Sequence, residues 1–166
     1  MNDHDASYVD FVTARQARLR RIAYAVCRDD SRAEDVLQEA LVKLYLSWGS
    51  LREAGREEAF ARRIIVNADL DQRRRPWHRR RSPLPVEHFD RAATSGPGIE
   101  DRADILAALR QLPAMQRRTV VLRYWLGLSV EETADELAIR EGTVKSHASR
   151  GLAALRALLT QNVGSG

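Results

Sequence analysis

Leu128-Ser129-Val130-Glu131-Glu132-Thr133-Ala134-Asp135-Glu136-Leu137-Ala138-Ile139-Arg140-Glu141-Gly142-Thr143-Val144-Lys145-Ser146, preceded by Leu112-Pro113-Ala114-Met115-Gln116-Arg117, reads as two short helices joined by a three- or four-residue turn. Ser129 with Glu132 forms a capping box that starts the first helix, and Pro113 suits the first turn of the helix before it. Leu137, Ile139 and Val144 supply a small core between the two helices, and Ala134 sits where they must cross closely. Val144, Ala148, Leu152 and Leu155 repeat at helical spacing and turn inward. Gly142, Lys145, Ser146, Ser149 and Arg150 are left on the outer face. This is how a helix-turn-helix presents its second helix to a major groove.

On that face Arg150 can pair bidentately with guanine, while Lys145 and Ser146 can reach base edges or phosphate. Thr143 lies near the helix start, where backbone N–H groups favour a phosphate. A pair of helices that merely packs is the alternative reading. Such a turn often needs a residue of positive φ, usually Gly, and here Ala138 stands in that place. If the conformation is kept, the strain is on the order of 1 kcal/mol.

Outward from this stretch, apolar positions recur at helical spacing and no alternating strand pattern is found. The spacing predicts helices at 8–28, 32–48, 57–76, 101–111, 114–126, 129–137 and 141–159. Ser31 is placed to cap the second, with Asp30 and Glu34 favouring its start, and Gly49 to stop it. Residues 79–98 hold Pro83, Pro85, Pro97, Gly96 and Gly98 with little periodicity, the composition of a linker. The expected fold is all-α: two small helical domains, 8–78 and 101–160, joined by a flexible linker at 79–100. About 20 linker residues reach at most roughly 66–72 Å when extended.

The 166 residues carry a net charge of only +4, yet the charge is concentrated. Residues 62–81 hold eight Arg against Asp69 and Asp71, a local +6, whereas residues 82–109 hold five acids against two Arg, a local −3. A clustered basic stretch is the footprint of a nucleic-acid surface. The excess of Arg over Lys, 25 to 2, runs through the whole chain and is read as a GC-rich coding bias rather than as a site. Cys27 stands alone in an apolar run, so it is expected as a small buried hydrophobe in a reducing compartment. The first seven residues are polar and acidic, unlike a signal peptide, and no apolar run approaches a membrane span. A cytoplasmic protein with no membrane span is expected.

In the first half, Leu37, Leu41, Leu44 and Trp48 form a core stripe. A second stripe runs Asp35, Gln38, Glu39, Val42 and Leu46. Apolar residues that continue an acidic face suit a protein-binding surface, and a well-covered internal helix is the alternative. In the helix at 57–76, Phe60, Ala61, Ile64, Ile65 and Ala68 turn inward, and Arg63, Asn67, Asp71 and Arg74 share a face. Arg73 to Arg81 then holds six Arg around Trp77. Such a stretch can neutralise phosphates and stack a base, or can be a solvated charged tail.

An enzyme acting on DNA would need converging carboxylates or an activated nucleophile. Asp69 and Asp71 do not converge, and His4, His78, His88 and His147 lack ligand spacing. No catalytic residue, metal or cofactor is therefore expected. A free-standing helix-turn-helix regulator remains as the rival reading, and it has no use for the stripe from Asp35 to Leu46.

Three signatures in order, Ala33-Glu34-Asp35-Val36-Leu37-Gln38-Glu39-Ala40, Arg63-Ile64-Ile65-Val66-Asn67-Ala68-Asp69-Leu70-Asp71, and Leu112 to Ser146, resemble the extracytoplasmic-function class of bacterial RNA polymerase sigma factors. Within that class, the resemblance implies an actinobacterial SigE-like subclass. The resemblance covers about 8–78 and 101–160. It implies a factor that binds core RNA polymerase and directs promoter recognition and transcription initiation, without covalent chemistry of its own. It implies that Asp35, Gln38, Glu39, Val42 and Leu46 dock on the clamp helices of the polymerase's largest subunit. The loop at 49–57 and the following helix then capture unpaired bases of the minus-ten element, with Arg63, Asn67, Arg73, Arg74 and Trp77 as DNA contacts. Thr143, Lys145, Ser146, Ser149 and Arg150 face the minus-thirty-five element. His147, Ser149 and Ala138 depart from common family residues, so base preference does not transfer, and no accessory domain is expected after residue 160. The sequence leaves open whether an anti-sigma factor is a further partner.

Overall fold

The computed structural model describes the backbone of residues 2–72 and 99–163, and the side chains of 2–68 and 102–162. The chain divides into two compact units, Met1–Val86 and Glu87–Gly166, and the described residues of both are helical, with no strand among them.

The first unit contains α1 (Asp3–Val26), α2 (Asp30–Leu46), α3 (Trp48–Ala54) and α4 (Glu57–Gln72). Helix α1 starts five residues earlier than its apolar periodicity predicts. The Asn2 side chain accepts from the Asp5 N–H at 2.8 Å, and Asp3 and Asp5 sit in the first turn, where carboxylates oppose the positive helix end. Helix α2 is capped by Asp29, whose carboxylate accepts from the Arg32 N–H at 2.7 Å, and not by Ser31. Asp29 is the better-placed cap because Asp30 is already helical. The core is built from Leu19, Ile22, Ala23 and Val26 of α1, Val36, Leu37, Ala40 and Leu44 of α2, and Ala61, Ile65 and Val66 of α4. Cys27 is buried beside them, as its apolar setting predicts.

Gly49 does not end α2. That helix stops at Leu46, and Gly49 lies inside α3, whose left-handed cap is Gly55 at φ +67°. Trp48 fixes the start of α3. Its indole Nε1 donates to Ser7 Oγ at 2.8 Å, and its ring meets Tyr8 edge-on at a centroid distance of 5.5 Å. Ser7 lies 41 residues away in sequence, with Tyr8 beside it, which local spacing does not reveal.

The second unit contains α5 (Ile99–Gln111), α6 (Ala114–Val120), a π-helical turn at Val121–Trp125, α7 (Val130–Leu137) and α8 (Glu141–Val163). Helix α6 was expected to run unbroken to 126. Instead the Leu126 N–H reaches back to Val121 O and the Leu128 N–H to Leu122 O, each at 2.9 Å. The widened turn buries Val121, Leu122 and Leu128 together and leaves Tyr124 and Trp125 exposed. Ala108, Leu109, Leu112, Ala134, Leu137, Val144 and Ala148 complete the core, while Leu152, Leu155 and Ile139 are only half-buried.

Two side chains that look like surface charge are interior. Arg117 and Arg118 are 5% and 2% exposed. Arg117 donates through Nε to Leu109 O and through Nη2 to Leu112 O, both at 3.0 Å. It thus adds a donor to Leu109 O, which also accepts from the Leu112 N–H at 3.1 Å, serves Leu112 O just past the end of α5, and sets a cation at the negative helix end.

Candidate nucleic-acid and partner interfaces

The outer face of α8 is built by exclusion. Val144 and Ala148 are buried, so the 3.6-residue repeat turns Gly142, Lys145, Ser146, Ser149 and Arg150 into water, and all five are exposed. Thr143 is half-exposed, one residue past Gly142 in the first turn, which also holds the exposed carboxylate of Glu141. That carboxylate stands at the same helix end as the amides suited to a phosphate.

The turn ahead of α8 is fixed from both sides. The capping box is complete: Ser129 Oγ accepts from the Glu132 N–H at 3.0 Å, and Glu132 Oε1 accepts from the Ser129 N–H at 2.9 Å. Helix α7 ends at Ala138, which adopts φ 56°, ψ 46°, the left-handed conformation such a turn often needs. It is the one non-glycine residue with positive φ among the described residues. The Ile139 N–H then bonds Ala134 O at 3.1 Å, closing the turn.

In the first unit, α2 has one side sealed in the core and the other bare. Asp35 and Glu39 are half-buried, Gln38 is exposed, and Val42 and Leu46 are 60% and 77% exposed. The stripe is therefore not a covered internal face. Glu39 pairs with Lys43 at 2.9 Å one turn on. Tyr45, which spacing alone did not single out, stands between the two apolar residues at 41% exposure. Its hydroxyl donates to Asp5 Oδ1 at 2.8 Å, and its ring meets Tyr8 and His4 edge-on at 5.1 and 5.3 Å. The hydroxyl is held protonated to higher pH than usual by the Asp5 carboxylate that accepts its hydrogen.

On α4, Arg63 is exposed and Asn67 is half-buried, with Asn67 Nδ2 donating to Arg63 O at 3.0 Å. That bond lays the amide along its own helix, so the two share a face as predicted. Arg73, Arg74 and Trp77 lie outside the described residues. Among the described residues no group of three or more His, Cys, Asp or Glu side chains is placed to hold a metal ion, and no helix is long and apolar enough to cross a membrane.

Comparison with known proteins bears on both units. The family "Sigma-70 region 2" matches residues 11–80, and "Sigma-70, region 4" matches residues 102–155. The RNA polymerase sigma-E factor of Streptomyces avermitilis is 36% identical over 153 residues, spanning 90% of this chain and 83% of that protein. The ECF RNA polymerase sigma factor SigM of Mycobacterium tuberculosis is 34% identical over 142 residues, spanning 86% and 71%. Among solved structures, the sigma factor RpoE of Bartonella quintana, crystallised with the anti-sigma factor NepR, shares the fold. Its TM-score is 0.70 at 24% identity, over 93% of this chain and 97% of that one.

Proposed function

We propose, for a chain that belongs to the extracytoplasmic-function class of RNA polymerase sigma factors, a division of promoter recognition between two surfaces while a third holds the polymerase. Residues 8–78 form the polymerase-docking and minus-ten module, 79–100 the tether, and 101–160 the minus-thirty-five module. Asp35, Gln38, Glu39, Val42 and Leu46 dock on core RNA polymerase. Arg63 and Asn67, continued by Arg73, Arg74 and Trp77, hold the opened minus-ten strand, where phosphate neutralisation and base stacking replace duplex pairing. Thr143, Lys145, Ser146, Ser149 and Arg150 read the minus-thirty-five duplex from the major groove.

The observation that carries this reading is the exposure of Val42 and Leu46 on a helix whose opposite side is sealed. A free-standing regulator gains nothing from two large apolar side chains in water, whereas a docking surface needs them at its centre. The chain itself breaks and forms no covalent bond, and it acts in the cytoplasm beside the polymerase. Promoter DNA and core polymerase are its partners. An anti-sigma factor is a further one, since a protein of that kind could silence the chain by covering either exposed face.

Purified chain added to core polymerase is expected to start transcripts at discrete sites on a genomic fragment library, with core alone giving none. Failure to co-elute with core, together with no directed transcript from any template, would overturn the proposal.

A further inference from the structure

Gly151 directly follows Arg150 and lies on the buried side of α8 with Val144 and Ala148. A Cβ placed on it would lie 2.7 Å from Val120 Cγ2 and 3.3 Å from both Gln116 Cβ and the Gln116 carbonyl oxygen. The same atom on Gly49, Gly55, Gly127 or Gly142 would meet nothing within 4 Å. Gly151 is therefore where α8 packs so closely on α6 that an added Cβ would overlap the Val120 side chain and crowd Gln116. Helix α6 is a fixed backstop at this point. Arg117 ties it to Leu109 of α5 and to Leu112 just past that helix, and within α6 the Thr119 hydroxyl donates to Met115 O at 2.7 Å. A clash at residue 151 is relieved by moving α8.

We infer that Gly151 is a positioning residue for sequence reading: its missing side chain sets how far α8 stands from α6, and hence where Lys145, Ser146, Ser149 and Arg150 meet the duplex. The inference rests on α8 being the reading helix. Restoring ordinary carbon–carbon contact near 3.5–4.0 Å shifts α8 by about 1 Å. Base-edge hydrogen bonds tolerate a spread of only about 0.5 Å. Flexible contacts to phosphate follow such a shift more easily, because a lysine ammonium is a mobile point charge. Displacement therefore removes discrimination between sequences more than it removes DNA binding.

The test uses the full chain with core polymerase. Wild type first selects active promoters from a library randomised in the upstream element. Transcription from the selected promoter is then compared with that from the same promoter carrying a scrambled upstream element. Gly151→Ala is expected to lower this ratio by about tenfold, the loss of one base-reading contact. Core binding and helix content should stay at wild-type levels. Val120→Ala combined with Gly151→Ala removes the Cγ2 methyl that the new Cβ meets, and should restore most of the ratio. If wild type shows no upstream preference, the reading role of α8 fails and this inference with it. If wild type discriminates and Gly151→Ala discriminates equally, the positioning role alone is overturned. An equal fall on both promoters, unrescued by the second substitution, likewise overturns it and leaves Gly151 a packing residue.

Discussion

Arg117 closes the end of α5 by donating through Nη2 to the carbonyl oxygen of Leu112 at 3.0 Å, while its Nε serves Leu109. A guanidinium suits this place because its planar fork serves carbonyls at two levels of the chain at once. Arg117→Met keeps the apolar stem but strips both donors, and should cost about 2–4 kcal/mol, since hydrogen bonds from charged groups are the strong ones. Arg117→Lys should recover part of that loss. Urea titration followed by Trp125 fluorescence, with hydrogen exchange on the α5 amides, would check it. Unchanged α5 protection in Arg117→Met would contradict the capping role.

Ala138→Gly should stabilise the second unit. Left-handed backbone costs an alanine about 1–2 kcal/mol, and glycine's greater freedom in the unfolded chain returns about 0.4–1 kcal/mol of that. The expected gain is on the order of 0.5–1 kcal/mol, seen as a higher urea midpoint with unchanged slope. A loss of stability would mean that the Ala138 methyl packs favourably in the turn.

The first unit should weaken in alkali. The Tyr24 hydroxyl donates to Glu34 Oε1 at 3.1 Å, on an oxygen that also accepts from Arg20 Nε at 3.1 Å. Burial, followed by the Glu34 charge, raises the tyrosine pKa in the folded state. The folded chain then keeps a proton that the unfolded chain releases near pH 10, so stability is full below about pH 10 and falls as pH rises beyond it. Tyr24→Phe should flatten this fall without abolishing it, because burial also raises Tyr8. Urea midpoints between about pH 9 and 11 would decide the matter, and identical slopes for wild type and variant would refute it.

Much of this architecture is legible from periodicity. The capping box at Ser129 and Glu132, the positive φ at Ala138 and the outward set on α8 follow from residues a turn or two apart. What stays hidden depends on partners far along the chain. Helix α3 begins at Trp48 because Ser7 and Tyr8 hold the indole, and without them Gly49 reads as a stop. Arg117 and Arg118 look like surface charge until the carbonyls of α5 are seen above Arg117. Gly151 looks incidental because the atoms it admits, on Val120 and Gln116, lie some thirty residues earlier. Tyr45 looks like one more aromatic until Asp5 and Tyr8 fix its orientation. For the site, the spacing places Val42 and Leu46 on one stripe but cannot say whether a neighbour covers it.

Docking should be separable from folding. Glu39 pairs with Lys43 at a half-exposed i,i+4 position worth a few tenths of a kcal/mol, and Val42 and Leu46 stand outside the core. Asp35→Ala with Glu39→Ala, or Val42→Ala with Leu46→Ala, should leave the thermal midpoint within a few degrees while weakening core-polymerase binding by about tenfold or more. Titration of labelled variants into core would read this directly. Wild-type affinity in both double variants would remove α2 from the interface.

Arg150 offers the sharpest reading of how α8 treats sequence. It is exposed at the end of the outward set, next to the glycine that fixes the helix. Where a guanidinium takes two acceptors on one guanine, Arg150→Ala should cost about 1–3 kcal/mol on the preferred promoter and relax choice at a single base pair. Where it touches only phosphate, the loss is nearly equal on every sequence and the salt slope falls by about 1. Holoenzyme affinities on matched and singly substituted promoters, each at two or more salt concentrations, separate the outcomes. A uniform loss with a shallower salt slope would reassign Arg150 to the backbone and leave Lys145, Ser146 and Ser149 to carry the discrimination.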